Sequence, residues 1–84
     1  MLEDVIELKV EEGYRLWVKF SDGVNGIVDM SKDAFAGVFA PLQDPQFFKT
    51  AYIEGGAVTW PNGVDIAPDA MHEELEKNGI WVLL

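Results

Sequence analysis

The stretch YRLWVKFSDGVNGIVDM (residues 14–30) decides the fold. Its alternation of apolar and polar residues is compatible with only one hairpin loop length and one strand register. A two-residue loop would pair apolar positions with polar ones across the hairpin. A three-residue loop, SDG, instead pairs Leu16 with Val28 on one face and Trp17 with Ile27 on the other. A type I turn closed by a left-handed glycine has this length, so the pattern predicts an antiparallel hairpin with that loop.

The stretch AVTWPNGVDI (residues 57–66) repeats the pattern of an aromatic residue, one further residue, an acid or its amide, glycine and valine. With PNG as a three-residue loop, Trp60 pairs with Val64 and Val58 pairs with Ile66. Proline suits the first turn position because its φ is fixed and no amide hydrogen is needed there. The sequence therefore predicts a second hairpin of the same kind.

The similarity extends to the segments around both hairpins, which predicts an internal β-β-β-α duplication with repeat halves 1–42 and 43–84. Chance resemblance between strand-rich segments is the alternative. The length of 84 residues fits one domain, residues 1–84. We expect an α+β fold of antiparallel β-meanders and hairpins with short helices. The predicted core consists of Leu16, Val18, Phe20, Val28, Phe35, Phe39, Phe48, Val58, Trp60, Ile66, Met71 and Leu75.

Two further strands are predicted near the ends of the chain. In the segment 5–10, Ile6, Leu8 and Val10 share one face and are expected to point inward. The closing segment, residues 80–84, is apolar and uncharged. An exposed strand of this kind is an aggregation hazard, so we expect it to be covered by the chain's own sheet or by a second subunit.

The helical segments are short. Four apolar residues after Ser31 recur at helical spacing, namely Phe35, Val38, Phe39 and Leu42. Ser31 is placed to cap this segment. Asp44 followed by Pro45 predicts a cap and a first helical turn. The clearest predicted helix covers residues 68–77 and ends near Gly79.

The net charge of −9, from fifteen acids and six bases, restricts the partners. Such a charge repels phosphate backbones, so we expect no direct binding to nucleic acid, whereas a basic protein partner is easier to approach. The absence of cysteine excludes a disulfide scaffold and a thiol nucleophile. The N-terminus lacks the features of a signal peptide, and no apolar stretch approaches the roughly 20 residues needed to cross a bilayer. We therefore expect a cytoplasmic protein that makes no membrane contact.

The single histidine, His72, is the best candidate for chemistry. Asp69, His72 and Glu73 lie close together on the predicted helix, and imidazole with carboxylates is a plausible metal-ligand set. A solvated acidic helix face with a surface histidine is the alternative. No spacing typical of a metal site is matched, so we expect no cofactor, and an enzyme centred on His72 remains the second hypothesis.

Six residues are candidates for contact with a partner: Trp17, Ile27, Trp60, Asn62, Asp65 and Trp81. Trp17 and Ile27 pair on the face that otherwise carries charges, so they form either a second small core or a contact patch. The three residues of the second hairpin form either a recognition corner or simply the turn. Trp81 belongs to the apolar closing segment, through which a homodimer is one expected assembly.

The segment from about residue 16 to residue 75 resembles a bacterial family, the domain of unknown function 2442. The resemblance rests on FSDGV (20–24) followed by Asp29, on VFAPLQDPQFF (38–48) and on VTWPNGVDIAPDAM (58–71). It implies a small α+β domain that occurs alone or ahead of a helix-turn-helix domain. Some members resemble proteins encoded beside another small domain, in arrangements similar to toxin–antitoxin pairs. The resemblance implies no catalytic residues. This chain shows no helix-turn-helix segment, and its NGIWVLL ending continues beyond the usual family pattern.

These observations together favour a small acidic binding or regulatory module that acts through a protein partner, with an antitoxin-like role as its specific form. The alternative is a small hydrolase or metal-dependent enzyme centred on His72. A structural oligomer joined through the closing segment is a third reading.

Overall fold

The computed structural model describes residues 4–32 and 34–83. Within these residues the elements are β1 (Val5–Glu11), β2 (Arg15–Phe20), β3 (Asn25–Asp29), a 3-10 helix (Gly37–Gln43), α1 (Pro45–Phe48), β4 (Tyr52–Glu54), β5 (Ala57–Thr59), α2 (Pro68–Asn78) and β6 (Ile80–Val82). The strands form a four-stranded sheet in the order β1-β2-β3-β6 and a two-stranded sheet of β4 and β5. The predicted α+β fold class is confirmed.

The first hairpin has the predicted three-residue loop, and β2 and β3 pair in the predicted register. The Phe20 amide donates to the Val24 carbonyl over 2.7 Å, and the Gly23 amide donates to the Phe20 carbonyl over 3.0 Å. Gly23 has φ 95°, a conformation that glycine adopts without steric cost. The Asp22 carboxylate accepts from the Val24 amide over 3.0 Å and completes the turn.

The second hairpin loop reproduces these contacts. The Trp60 amide donates to the Val64 carbonyl over 2.9 Å, and the Gly63 amide donates to the Trp60 carbonyl over 2.9 Å. Gly63 has φ 88°. The Asn62 side-chain oxygen accepts from the Val64 amide over 3.2 Å, as Asp22 does in the first loop. The two similar sequence stretches therefore form the same turn.

The second meander is less complete than the prediction. After the two-stranded sheet, the chain makes an isolated bridge between Thr59 and Asp65 and a hydrogen bond from the Ile66 amide to the Val58 carbonyl (3.0 Å). Pro68 opens α2 immediately afterwards, so no third strand develops. The internal duplication itself stays a prediction. The closing segment differs from a meander strand as well, because β6 pairs with β3 in parallel.

The prediction that Ile6 faces the core was wrong. The register of β1 against β2 shifts between Val5 and Glu7, so Val5 reaches the core and Ile6 is 52% exposed. A bulge inserts one residue and exchanges the faces on one side of it. Beyond the bulge the prediction is confirmed, because Leu8 and Val10 pack against the core.

The prediction that Ser31 caps a helix was also wrong. Its amide and its hydroxyl both donate to Asp29 Oδ1. The helix begins only at Gly37 and is of the 3-10 type, with Pro41 inside it. Proline removes a backbone donor, and a 3-10 helix has about three residues per turn. Val38 therefore turns outward and is 69% exposed, which α-helical spacing did not predict.

Helix α2 lies on one face of the four-stranded sheet and contacts β3 and β6. It begins at Pro68 as predicted, and Met71 and Leu75 are buried. Gly79 ends it in the left-handed conformation (φ 73°), where the Gly79 amide donates to the Leu75 carbonyl over 2.9 Å. No helix in the described part of the chain is long and apolar enough to cross a membrane.

The buried apolar side chains of the described residues form one cluster between the sheet and the helices. Trp60 is its largest fully buried member, and its indole N–H donates to the Phe48 carbonyl over 3.0 Å. Ten of the twelve predicted core residues are buried, whereas Phe35 and Phe39 are partly buried and pack against the cluster. Burial of each large side chain favours folding by about 1.5–3 kcal/mol.

Candidate protein-binding face

The four-stranded sheet has two unlike faces. One carries fully buried residues such as Leu16, Val18 and Val28 and packs on the core. We call the opposite side the outer face. By strand alternation and register it consists of Glu7, Lys9, Glu11, Arg15, Trp17, Lys19, Asn25, Ile27, Asp29, Ile80 and Val82.

An apolar row crosses this outer face. Trp17 is paired with Ile27, and Ile27 with Ile80, so the three side chains lie on neighbouring strands. Val82 lies two residues further along β6, on the same face. Trp17 and Ile27 are half-buried, whereas Ile80 and Val82 are 45% and 42% exposed. The predicted pair of Trp17 and Ile27 is therefore part of a larger apolar surface.

Lys9 extends the row across β1. Its ammonium group lies 5.3 Å from the ring centroid of Trp17. A cation at this distance over an indole contributes roughly 0.5–1 kcal/mol at an exposed site. The contact places a positive charge over one face of the Trp17 ring.

The outer face carries no net charge, although the chain as a whole is strongly acidic. It holds three of the six bases and three of the fifteen acids, so the chain's net charge of −9 arises from residues outside it. Two ion pairs join these groups across strands, Arg15 with Asp29 and Lys19 with Glu7, each at 3.8 Å. A partner that approaches this face therefore meets an apolar row between paired charges.

Asp29 is the most buried charged group on the outer face, with 6% exposure. The hydroxyl and amide of Ser31 donate to its carboxylate, and Arg15 lies beside it. The Ser31 hydrogen bonds, with a smaller contribution from Arg15, hold the pKa of Asp29 below its ordinary value. The lowered pKa favours the ionised form of Asp29, which pairs with Arg15 on this face.

The other predicted contact residues do not join this face. Trp60 is fully buried in the core and offers no surface to a partner. Asn62 and Asp65 are exposed, but Asn62 closes the second hairpin loop and Asp65 bridges to Thr59. Trp81 lies on β6 with its side chain toward the core and is half-buried.

His72 reaches the first hairpin loop instead of its neighbours on α2. Its Nε2 lies 2.7 Å from Asp22 Oδ2, and its ring meets the Phe20 ring edge-on at 5.0 Å. This hydrogen bond, together with the Val24 amide, holds the pKa of Asp22 below its ordinary value. The predicted ligand Glu73 pairs with Lys77 (3.4 Å).

Metal ligands do not gather at His72. The described residues contain no group of three or more His, Cys, Asp or Glu side chains placed to hold a metal ion. The sequence places Asp69 and Glu73 beside His72 on one helix, but the structure gives His72 a carboxylate partner fifty residues away. The contact ties the hairpin loop to α2.

Open clefts occur elsewhere on the molecule. One, of about 230 Å³, lies where the turn between β1 and β2 approaches α1 and includes Tyr14 and Lys49. Tyr14 has φ 60°, which is uncommon outside glycine. Its hydroxyl donates to the Gln43 carbonyl, and its ring meets the Phe48 ring edge-on at 5.3 Å. Gly13 beside it also has a positive φ (78°), so this conformation belongs to the turn between β1 and β2.

Sequence reasoning missed Ile80, Val82 and Lys9 as members of the outer face. The alternation of residues 80–82 is a signal that two of them point away from Trp81. Which face they join depends on pairing with β3, whose register with β6 is not encoded locally. Lys9 has no local signal of its contact, because its partner Trp17 lies on a neighbouring strand.

Comparison with known proteins finds one family. Residues 5–77 match the family described as protein of unknown function (DUF2442). The matched segment includes β1 to β5 and nearly all of α2, whereas β6 lies beyond it. No curated protein and no solved structure matches the chain.

Proposed function

The chain belongs to the DUF2442 family, and from this premise we propose that it is a small acidic binding module that acts by holding a protein partner against its outer face. The observation that supports this proposal is the apolar row of Trp17, Ile27 and Ile80 on a sheet face without net charge. Apolar surfaces that contain a tryptophan are the kind on which binding energy concentrates.

The partner's chemistry follows from the charges around the row. An apolar side chain of the partner would pack against the exposed part of the Trp17 ring, because the indole is only half-buried. Basic groups at the edge of the partner would face the acidic remainder of the chain, which would speed association at low salt. An antitoxin-like role is the specific form of this proposal. In that case the partner is an active protein, and its binding to the outer face blocks its activity.

The experiment compares matched variants in capture from the native host. Tagged wild type is expected to recover a partner, and Trp17→Ala is expected to weaken its binding by roughly 30-fold or more, as for a tryptophan that contributes strongly to an interface. Val38→Ala is the control, because Val38 is 69% exposed on the 3-10 helix and outside the outer face. Equal binding of the same purified partner by all three proteins would exclude the outer face.

The antitoxin-like form needs a further test. The partner recovered by capture is expressed alone or with this chain, and growth is measured. Wild type is expected to restore growth and Trp17→Ala is expected to fail, while both accumulate equally. If neither wild type nor Trp17→Ala changes growth, the antitoxin-like form is excluded and the chain is a binding module of another kind.

The enzyme centred on His72 remains the alternative hypothesis. Its test is the change in melting temperature on addition of divalent metal, with His72→Ala as the control. A metal site would give a shift in wild type that is lost in the variant, because a bound ion stabilises the folded state.

A further inference from the structure

The two edges of the four-stranded sheet are protected to very different degrees. Proteins usually blunt an edge strand with charges, a bulge or a covering segment. The β1 edge has all three, namely Glu7 and Lys9, the register shift after Val5, and the Gly56 carbonyl that accepts from the Val5 amide over 2.9 Å. Strand β6, the other edge, consists of Ile, Trp and Val, and within the described residues it has no charge, no register shift and no strand on its far side.

The backbone amides and carbonyls of β6 point alternately toward β3 and toward the free edge of the sheet. The Gly79 carbonyl accepts from the Ile27 amide (3.2 Å) and the Leu83 amide donates to the Asp29 carbonyl (2.9 Å), so these groups face β3. Because backbone groups alternate along a strand, those of Ile80 and Val82 face the free edge. This edge therefore presents two amides and two carbonyls in a row.

We propose that β6 pairs antiparallel with β6 of a second copy of this chain. With the two-fold axis at Trp81, Ile80 of each copy lies opposite Val82 of the other, and each such pair exchanges two hydrogen bonds. All four outward groups of each strand are then paired. The same register places the two Trp81 residues directly opposite each other, as a pair without hydrogen bonds between them.

Charge favours a second copy at this edge over other surfaces of the molecule. Two chains of net charge −9 repel each other. The outer face beside β6 carries no net charge, and Ile80, Trp81 and Val82 are uncharged, so repulsion is weakest where the strands would meet. The exposed Ile80 and Val82 side chains of one copy would also contact those of the other.

This inference goes beyond the proposed function, because it concerns the assembly and not the partner. Pairing at β6 leaves Trp17 and Ile27 uncovered and joins the two outer faces into one continuous surface of eight strands. Strand β6 lies beyond the segment matched by the family, so the surface would depend on a part of the chain outside that segment.

The first test measures mass by analytical ultracentrifugation over roughly a hundredfold range of concentration. Two three-residue strands bury far less than the about 1,600 Å² of a standard interface, so a concentration-dependent dimer is expected. Val82→Pro removes one outward amide per chain that β3 does not use, and it should give monomer at every concentration. Val82→Ala keeps the amide and should still dimerise. Wild type that is monomeric throughout the range would overturn the proposal.

The second test uses a single cysteine, because the natural chain has none. In the proposed register the two Cα atoms at position 81 lie about 4.5 Å apart, within the range that a disulfide bridges. Mild oxidation of Trp81→Cys should therefore give a cross-linked dimer, and Glu11→Cys on the β1 edge should not. Equal cross-linking of both variants would contradict the β6 pairing. If Trp81→Cys fails to fold by circular dichroism, the mass measurements decide.

The two proposals fail separately. Trp17→Ala should bind the partner more weakly and remain a dimer, whereas a wild type that is monomeric but still binds the partner would overturn the edge pairing alone. A Trp17→Ala protein that turns monomeric would show that the dimer uses the outer face and not the edge, and would overturn the edge pairing.

Discussion

Gly26 lies so close to Gly79 that a β-carbon on Gly26 would stand 2.3 Å from the Gly79 carbonyl oxygen. The same carbonyl accepts a hydrogen bond from the Ile27 amide over 3.2 Å. The space for a side chain at position 26 is therefore filled by the backbone that connects α2 to β6. Glycine at this position, which is not in a left-handed conformation, permits β3 and β6 to meet.

Gly26→Ala is expected to destabilise the fold by about 1–3 kcal/mol, the usual cost of overpacking. The obstacle is backbone, and the Leu75 side chain is only 3.0 Å away, so relief requires movement of the end of α2. Chemical denaturation measures the loss, and hydrogen exchange should show faster opening of β6 than of β1. Val38→Ala serves as the control, since that side chain is exposed. A variant as stable as wild type would contradict the close approach.

The two hairpin loops predict an asymmetric response to exchange of their central residues. Asn62→Asp should change stability little, because a carboxylate accepts from the Val64 amide as an amide oxygen does. Asp22→Asn should cost more, since it keeps the turn acceptor but weakens the contact with His72. Melting temperatures of the two variants, measured at neutral pH, test this order. Equal losses in the two variants would show that the His72 contact contributes nothing to stability.

Removal of the His72 ring is expected to change the titration of Asp22. The His72 hydrogen bond is the largest cause of the lowered pKa of Asp22, so His72→Ala should move that pKa up toward its ordinary value. NMR titration of the Asp22 carboxyl carbon measures it directly. The Asp29 carboxyl, whose lowered pKa comes first from Ser31, is the internal control and should titrate as before.

Stability is expected to fall in acid partly through Asp29. Its pKa is lower in the folded chain than the value of about 3.9 in an unfolded one. The resulting stabilisation is therefore present above pH 4 and is lost as the pH falls through the folded pKa. Ser31→Ala should flatten this loss more than Arg15→Ala, because the Ser31 hydrogen bonds are the larger cause. Urea denaturation from neutral pH to below pH 3 provides the comparison.

Elements whose determinants are close in sequence could be predicted. The loop length and register of the first hairpin follow from the alternation on both sides of Gly23, and the structure has that register. The start of α2 at Pro68 and its end at Gly79 follow from residue types with fixed backbone preferences. The cap at Asp44, which accepts from the Gln46 amide over 3.0 Å, is of the same kind.

Features that depend on distant contacts could not be predicted. The bulge that turns Val5 rather than Ile6 toward the core depends on the pairing of β1 with β2. Both side chains are apolar, so the sequence does not show which of them is buried. The parallel pairing of β6 leaves no local pattern, since three apolar residues fit either direction. The contact of His72 with Asp22 joins residues fifty positions apart. For the candidate face, Trp17 and Ile27 were found from the hairpin register, whereas Ile80 required the position of β6.

The pairing of β6 with β3 also determines the order in which the sheet can form during synthesis. As the chain leaves the ribosome, β1, β2 and β3 can form their meander from contacts near in sequence, which is the rapid part of folding. The edge of β3 then stays unpaired until β6 is made, because about fifty residues separate the two strands. The nascent domain is therefore most vulnerable to pairing with another chain just before its last strand emerges, and the narrow gap at Gly26 is filled only at the end.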